Sequence, residues 1–303
     1  MSGREESHSG GAVLLLVLFI CGAAVFFYPR VSFWLAEYNQ TVATQSHAAV
    51  ISGLNQEEKD ALWAAAIDYN RRMTESLVKD PFAETENVSP FDEYFDILDL
   101  GDGMMGSVRI PSIEVRLPIY HGTGEATLDK GVGHIKATAL PIGGLSTHAV
   151  LTAHTGLRTA KMFDRLIELG QGDPFFIEVL DHTLAYRVDQ IEVVQPDDIS
   201  KLRVVPDRDY ITLLTCTPYG INSHRLLVRG ERFEYEGASF NDLDQRSFPW
   251  WIVVVVATLL IAIVMCGELV RSRVRMRRAR RVGGSGGTQS FRDAPPAAGR
   301  ERQ

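Results

Sequence analysis

Three hundred and three residues, 45% apolar and 23% charged, describe a chain built to fold and exclude a disordered or collagen-like protein. Three cysteines without a C-x-x-C pair exclude a disulfide scaffold and argue against a structural zinc site. A net charge of −7 argues against a generic nucleic-acid binder, which would carry a basic stripe, so no nucleic-acid partner is expected.

Residues 1–10 are a short polar start. Gly11 to Tyr28 is an 18-residue stretch without a charge. As a helix rising 1.5 Å per residue it reaches roughly 27 Å, about the thickness of a hydrocarbon core. No small-x-small cleavage site precedes Pro29-Arg30, so 11–28 is expected to be an uncleaved signal anchor and not a removed signal peptide.

Residues 45–79 predict a helix. Asn55 with Glu58 forms a capping box, and Leu62, Ala66, Tyr69, Met73 and Leu77 share one face. Lys79-Asp80-Pro81-Phe82 ends it, because proline disfavours helical geometry in the residue before it. Residues 80–103 follow as an irregular segment with eight Asp or Glu and two prolines. Its length suits either a cover over a site or a solvated acidic linker.

From Gly106 short strands take over, punctuated by Gly and Pro: 107–110, 114–120, 133–139, 148–154, 174–180, 183–194, 210–216 and 225–235. Brief helical turns fall at Lys161–Leu169 and Asp197–Leu202. Such regular strands predict a closed or nearly closed β-barrel. Gly122-Thr123-Gly124 lacks the Gly-Lys-Ser/Thr of a phosphate loop and reads as a turn with no helix behind it.

Phe248 to Gly267 is a second uncharged stretch, of 20 residues, with Trp250 and Trp251 at its start, where indoles favour the headgroup level. Arg271, Arg273, Arg275, Arg277, Arg278, Arg280 and Arg281 follow at once. By the positive-inside bias this tail is cytoplasmic, the N-terminus is cytoplasmic too, and 29–247 lies outside the cell. Residues 268–303 carry net +7, residues 1–28 net −1, and the folded loop net −13. The basic tail suits contact with anionic membrane lipids, and 283–303 reads as a disordered end.

Cys21 and Cys266 fall inside the spans, which leaves Cys216 alone in the outer domain. An unpaired thiol in an oxidising compartment is a liability unless it is buried in a core or used in catalysis, and this argument alone leaves both open. Cys216 ends the β-run 211–216, and Arg225 begins the next run after an eight-residue connection, so an antiparallel pair puts both at one loop end. His154 ends another apolar strand, 149–154. A nearby His or Arg favours the thiolate over a thiol of ordinary pKa ~8.5. His can protonate a leaving amine, and Arg can hold an oxyanion. His121, His134, His148, His182 and His224 read as structural or exposed, with His224 on the other face of Arg225's strand.

TLLTC at 212–216, running into TPYGINSHRLLVRG at 217–230, resembles the active-site strand pair of the sortases, and most resembles class C, the pilin-polymerising sortases of Gram-positive bacteria. GVGHIKATALPIGGLSTHAVLTAHTGL at 131–157 is similar to the stretch that carries the family's catalytic His. The resemblance covers roughly residues 55–235 and the two-span layout, with about nineteen consecutive positions fitting across the Cys and Arg segments. Ser223 stands where the subclass more often has Thr, and a hydroxyl is kept.

The resemblance implies an eight-stranded sortase-type β-barrel with N-terminal helices and a lid loop, mostly β, flanked by two transmembrane helices. It implies Cys216 as nucleophile, His154 as general acid/base and Arg225 as oxyanion stabiliser. No cofactor or metal is expected: some sortases depend on calcium, but the sequence shows no clear ligand cluster for it. It also turns 80–103 into a lid with an Asp-Pro-aromatic motif, Asp80-Pro81-Phe82, in which Asp80 would pair with Arg225 and Phe82 would cover Cys216. The implied reaction is acyl transfer from an LPXTG-like sorting signal of a surface protein or pilin to an acceptor amine, a pilin lysine. The competing readings are a cell-wall-precursor acceptor, a papain-like hydrolase, which would orient His with Asn or Asp, and a non-enzymatic assembly domain with an inert Cys216.

Overall fold

The computed structural model describes residues 6–79, 92–157, 159–235 and 250–283. The chain divides into two units, Tyr28–Gln245 on the one hand and Met1–Phe27 with Arg246–Gln303 on the other. Helix α1 (Glu6–Gly53) runs through Pro29 without a break, and α4 (Trp251–Gly283) is the last described element. Each is long and apolar enough to cross a membrane, over Val17–Gly53 and Val253–Ser272 respectively.

The single helix expected over 45–79 is two. Residues 45–53 belong to α1, and α2 (Gln56–Lys79) starts anew because the capping box works reciprocally. The Glu58 N–H donates to Asn55 Oδ1 and the Asn55 N–H to Glu58 Oε2, both at 2.9 Å, which ends one helix and opens the next. On the expected face of α2, Ala66, Tyr69 and Met73 are buried. Asn70 fixes α2 to the barrel by exchanging two hydrogen bonds with the backbone of Leu140. Asp80, Pro81 and Phe82, with the rest of 80–91, lie outside the described residues. Past them the chain makes a 3-10 turn at Asp92–Phe95, tied back to α2 by the ion pair of Glu93 with Arg72.

Eight strands close into the expected barrel: β1 (Met104–Ile110), β2 (Val115–His121), β3 (Val132–His134), β4 (Thr147–Thr152), β5 (Pro174–Val179), β6 (His182–Val194), β7 (Asp209–Thr217) and β8 (His224–Arg232). Their order around the barrel is β1-β2-β3-β4-β7-β8-β6-β5. Two pairs, β2–β3 and β4–β7, are parallel, and the rest are antiparallel. The strand expected over 133–139 shortens to three residues because a Thr138 N–H to Ile135 carbonyl bond turns the chain away. A four-residue helix, α3 (Glu125–Leu128), does follow Gly124, contrary to the reading of 122–124 as a turn with nothing behind it.

Alternation along the strands sorts core from outer face. Ala149, Leu151, Ile211, Leu213, Leu226 and Val228 point into the core with Phe175 and Tyr186. One interior position must be glycine: a Cβ on Gly230 would run into the ring of Phe175.

Candidate active site

Cys216 and Arg225 are direct cross-strand partners near the open ends of β7 and β8. Residues opposite one another on antiparallel strands present their side chains on the same face within about 5.5 Å. That face is the outer one, since the alternate residues Ile211, Leu213, Leu226 and Val228 fill the core. Both residues are half-buried. The Arg225 guanidinium folds toward the β7–β8 connection, where Nη1 donates to the carbonyls of Asn222 (3.2 Å) and His224 (3.1 Å). His224 lies on the opposite side, as its place in the strand requires, with Ser223 Oγ and Gln195 Nε2 beside its ring.

His154 comes from β4, the parallel neighbour of β7. Thr152 is in register with Leu214, and the Ala153 N–H extends the ladder to the Leu214 carbonyl at 3.2 Å. His154 is the second residue past the end of β4 and half-buried, next to the end of β7 that carries Cys216. The fold thus brings His154, Cys216 and Arg225 to one end of three adjacent strands.

Three contacts that the sequence reading missed hold His154 in place. Thr215 Oγ1 donates to the Ala153 carbonyl at 2.8 Å. The Phe163 N–H donates to the His154 carbonyl at 3.1 Å. The Gly156 N–H donates to Asp164 Oδ1 at 2.7 Å, and Gly156 has φ +84°, a conformation that favours glycine. The alternation in TLLTC was a usable signal, because it places Thr215 with the core side chains, where a buried hydroxyl must find an acceptor.

Further along the same face, His148 ties β4 to β7 and to the β6–β7 connection. Its Nδ1 lies 3.0 Å from the Arg203 carbonyl and its Nε2 2.8 Å from Thr212 Oγ1. A carbonyl accepts only, so Nδ1 carries the proton and Nε2 accepts from the hydroxyl. Burial holds this ring below the usual histidine pKa, in keeping with a neutral structural role. His134 is alike: its Nε2 meets the Ala139 carbonyl at 2.7 Å, its Nδ1 meets Tyr94 Oη at 2.9 Å, and burial lowers its pKa to about 4. His121 is also buried, between the carbonyls of Ile97 and Gly103. His182 is exposed at its edge and stacks on Trp63. These are the structural or exposed histidines expected.

A cavity of about 520 Å³ lined by Trp63, Leu145, His182, Asp209, Glu231 and Arg232 lies at the other ends of β7 and β8. Its lining contains no cysteine. Among the described residues no group of three or more His, Cys, Asp or Glu could hold a metal ion.

The family described as the sortase domain matches residues 108–233, which is the barrel from β1 to the end of β8. Barrel and family match together define a sortase, a cysteine transpeptidase. Solved structures sharpen this. The chain is 46% identical to sortase C-1 from Actinomyces oris, with a TM-score of 0.53, covering 59% of this chain and 99% of that one. It is 42% identical to Clostridium perfringens sortase C with the C-terminal cell wall sorting motif, with a TM-score of 0.56, covering 64% of this chain and 100% of the other. To the pilus-related sortase C of Group B Streptococcus it is 43% identical, with a TM-score of 0.56, covering 64% and 98%. The chain belongs to the class C, pilin-polymerising, sortase family.

Proposed function

We propose that this chain joins pilins, with Cys216 as nucleophile, His154 as general acid and base, and Arg225 as the group that holds the oxyanion. The observation that carries the assignment is the cross-strand pairing of Cys216 with Arg225 on β7 and β8, with β4, which His154 follows, as the neighbour of β7. The pilus-related relative and the relative solved with a cell wall sorting motif support the substrate class.

In the proposed reaction Cys216 gives its proton to His154 and the thiolate attacks the Thr carbonyl of an LPXTG-like signal. Arg225 donates to the oxyanion, where its fixed charge and planar donors suit a developing negative oxygen. The Thr–Gly C–N bond breaks, His154 returns the proton to the departing Gly amine, and a thioester remains on Cys216. A pilin lysine amine then attacks that thioester, yields its proton to His154, and expels the thiolate as an isopeptide bond forms. Asp80-Pro81-Phe82 would cover the site as a lid until substrate arrives, Asp80 toward Arg225 and Phe82 over Cys216.

The proposed arrangement in the membrane is two-pass: a cytoplasmic start at 1–10, anchor at 11–28, catalytic domain outside the cell at 29–247, second span at 248–267 and a cytoplasmic tail at 268–303. The positive-inside bias of the seven arginines supports it. Tethering confines enzyme and membrane-embedded substrates to two dimensions.

The test is incubation of the full chain in detergent micelles with an LPXTG peptide and a pilin domain, read by mass spectrometry. A Thr–Lys isopeptide dependent on Cys216 is expected. A product joined only to a cell-wall precursor amine, or cleavage that survives C216A, would overturn the assignment.

A further inference from the structure

Strands β6 and β7 both run antiparallel to β8, which lies between them, so they point the same way. The chain leaves β6 at the end that carries Arg225 and must come back to the far end of β7. Residues 195–208 make that return. They start beside the chemistry, because Val194, the last residue of β6, is the cross-strand partner of Arg225.

The far end of this connection is tied to the start of β4. The Asp207 N–H donates to Ser146 Oγ at 2.9 Å, and the Thr147 N–H donates to the Arg208 carbonyl at 3.2 Å. Nearer the site, three contacts hold it to the barrel among the described residues. Gln195 Nε2 lies 3.1 Å from His224 Nε2, Lys201 Nζ lies 3.0 Å from Glu192 Oε1, and the Arg203 carbonyl lies 3.0 Å from His148 Nδ1. The first two join side chains at the surface, where water and salt compete and such contacts contribute little. The third ends on a ring that is 1% exposed. His148 alternates with the core residues Ala149 and Leu151, so it faces out of the barrel, toward the connection. Thr212 Oγ1 engages Nε2 at 2.8 Å, which leaves the proton on Nδ1 for Arg203.

What the connection meets follows from the reaction. His154 serves both the departing and the arriving amine, and it follows β4, on the other side of β7 from β8. The acyl half of the sorting signal therefore leaves Cys216 on the Arg225 side, where the connection begins.

We propose that His148 is a positioning residue for the sorting signal: by donating to the Arg203 carbonyl, it keeps residues 195–203 as a fixed wall beside Arg225. This inference rests on the function proposed above. His148 touches no reacting atom, so its loss bears on binding of the signal and leaves the chemical step alone.

The test uses the full chain in detergent micelles with an LPXTG peptide. Glutamine places its amide where Nε2 lies, and asparagine where Nδ1 lies. H148Q thus keeps the contact with Thr212 and loses the donor to Arg203, and H148N does the reverse. H148Q should raise KM for the peptide about fivefold with kcat within about twofold, and should speed amide hydrogen exchange over 197–205. H148N should leave both close to the unaltered chain. Equal effects of H148Q and H148N, an effect of H148Q on kcat alone, or unchanged exchange overturns the assignment. If H148Q does not fold by circular dichroism, H148F, which fills the space and lacks the donor, takes its place in the comparison. Peptide left uncleaved by the unaltered chain overturns the proposed function itself, and needs no variant to be seen.

Discussion

Thr215 donates its hydroxyl to the carbonyl of Ala153 at 2.8 Å, so the residue before Cys216 holds the residue before His154. Thr215→Val keeps the shape and removes the donor, leaving a buried carbonyl unpaired at a cost of about 1–3 kcal/mol. With His154 less firmly placed, kcat should fall about tenfold, ~1.4 kcal/mol in the barrier, with KM little changed. Thr215→Ser should restore most of the rate. Steady-state transpeptidation kinetics separate these outcomes, and an equal rise in KM would count against a positioning role.

Arg225 supplies a planar fork, and lysine supplies only a point charge. Arg225→Lys should lower kcat roughly 10²-fold, in line with losing an oxyanion donor. Alkylation of Cys216 by iodoacetamide should continue, showing that the fold and the thiol survive. A variant that polymerises pilin at the normal rate would remove Arg225 from the proposed chemistry.

Burial depresses the pKa of His134 from 6.5 to about 4, so the folded chain holds it neutral while the unfolded chain protonates it near 6.5. The unfolded state therefore binds more protons between those values, and stability falls as pH drops through that window. It is fully present above the unfolded value. The loss should approach about 3 kcal/mol on going from pH 7 to pH 4, measured as a falling urea midpoint. His134→Gln should be less stable at pH 7 and show a flatter pH profile; an unchanged slope would assign the acid sensitivity to other groups.

Gly230 leaves room for Phe175, which stacks on Tyr186 with centroids 5.6 Å apart. Gly230→Ala should destabilise the barrel by about 1–3 kcal/mol through overpacking. Phe175→Leu in the same chain should recover part of that loss, which a double-mutant cycle on denaturation midpoints would register.

The barrel was legible because apolar alternation and turn residues mark each strand locally, and all eight appear where the pattern put them. Asn55 and Glu58 announced a helix start, yet the helical period on both sides hid the break at 54–55. The three-residue β3 was overestimated because a turn set by Thr138 leaves no mark on hydropathy. Cys216 and Arg225 could be paired from sequence since one hairpin joins them. Alternation in TLLTC marks Thr215 as buried but not its acceptor across the parallel β4–β7 ladder, and Phe163 and Asp164 meet the His154 segment from the loop after β4, whose path no local pattern encodes.

The offset of 62 residues between β4 and β7 has a chemical corollary. Cys216 and Arg225 belong to one hairpin and can meet in any chain that makes that turn. His154 arrives from outside it, delivered only when the parallel β4–β7 ladder closes. In the proposed mechanism an unfinished barrel therefore holds a thiol with no acid beside it, a latent nucleophile. Completion of that long-range strand pairing is what arms it, so chemical competence becomes a report on folding itself.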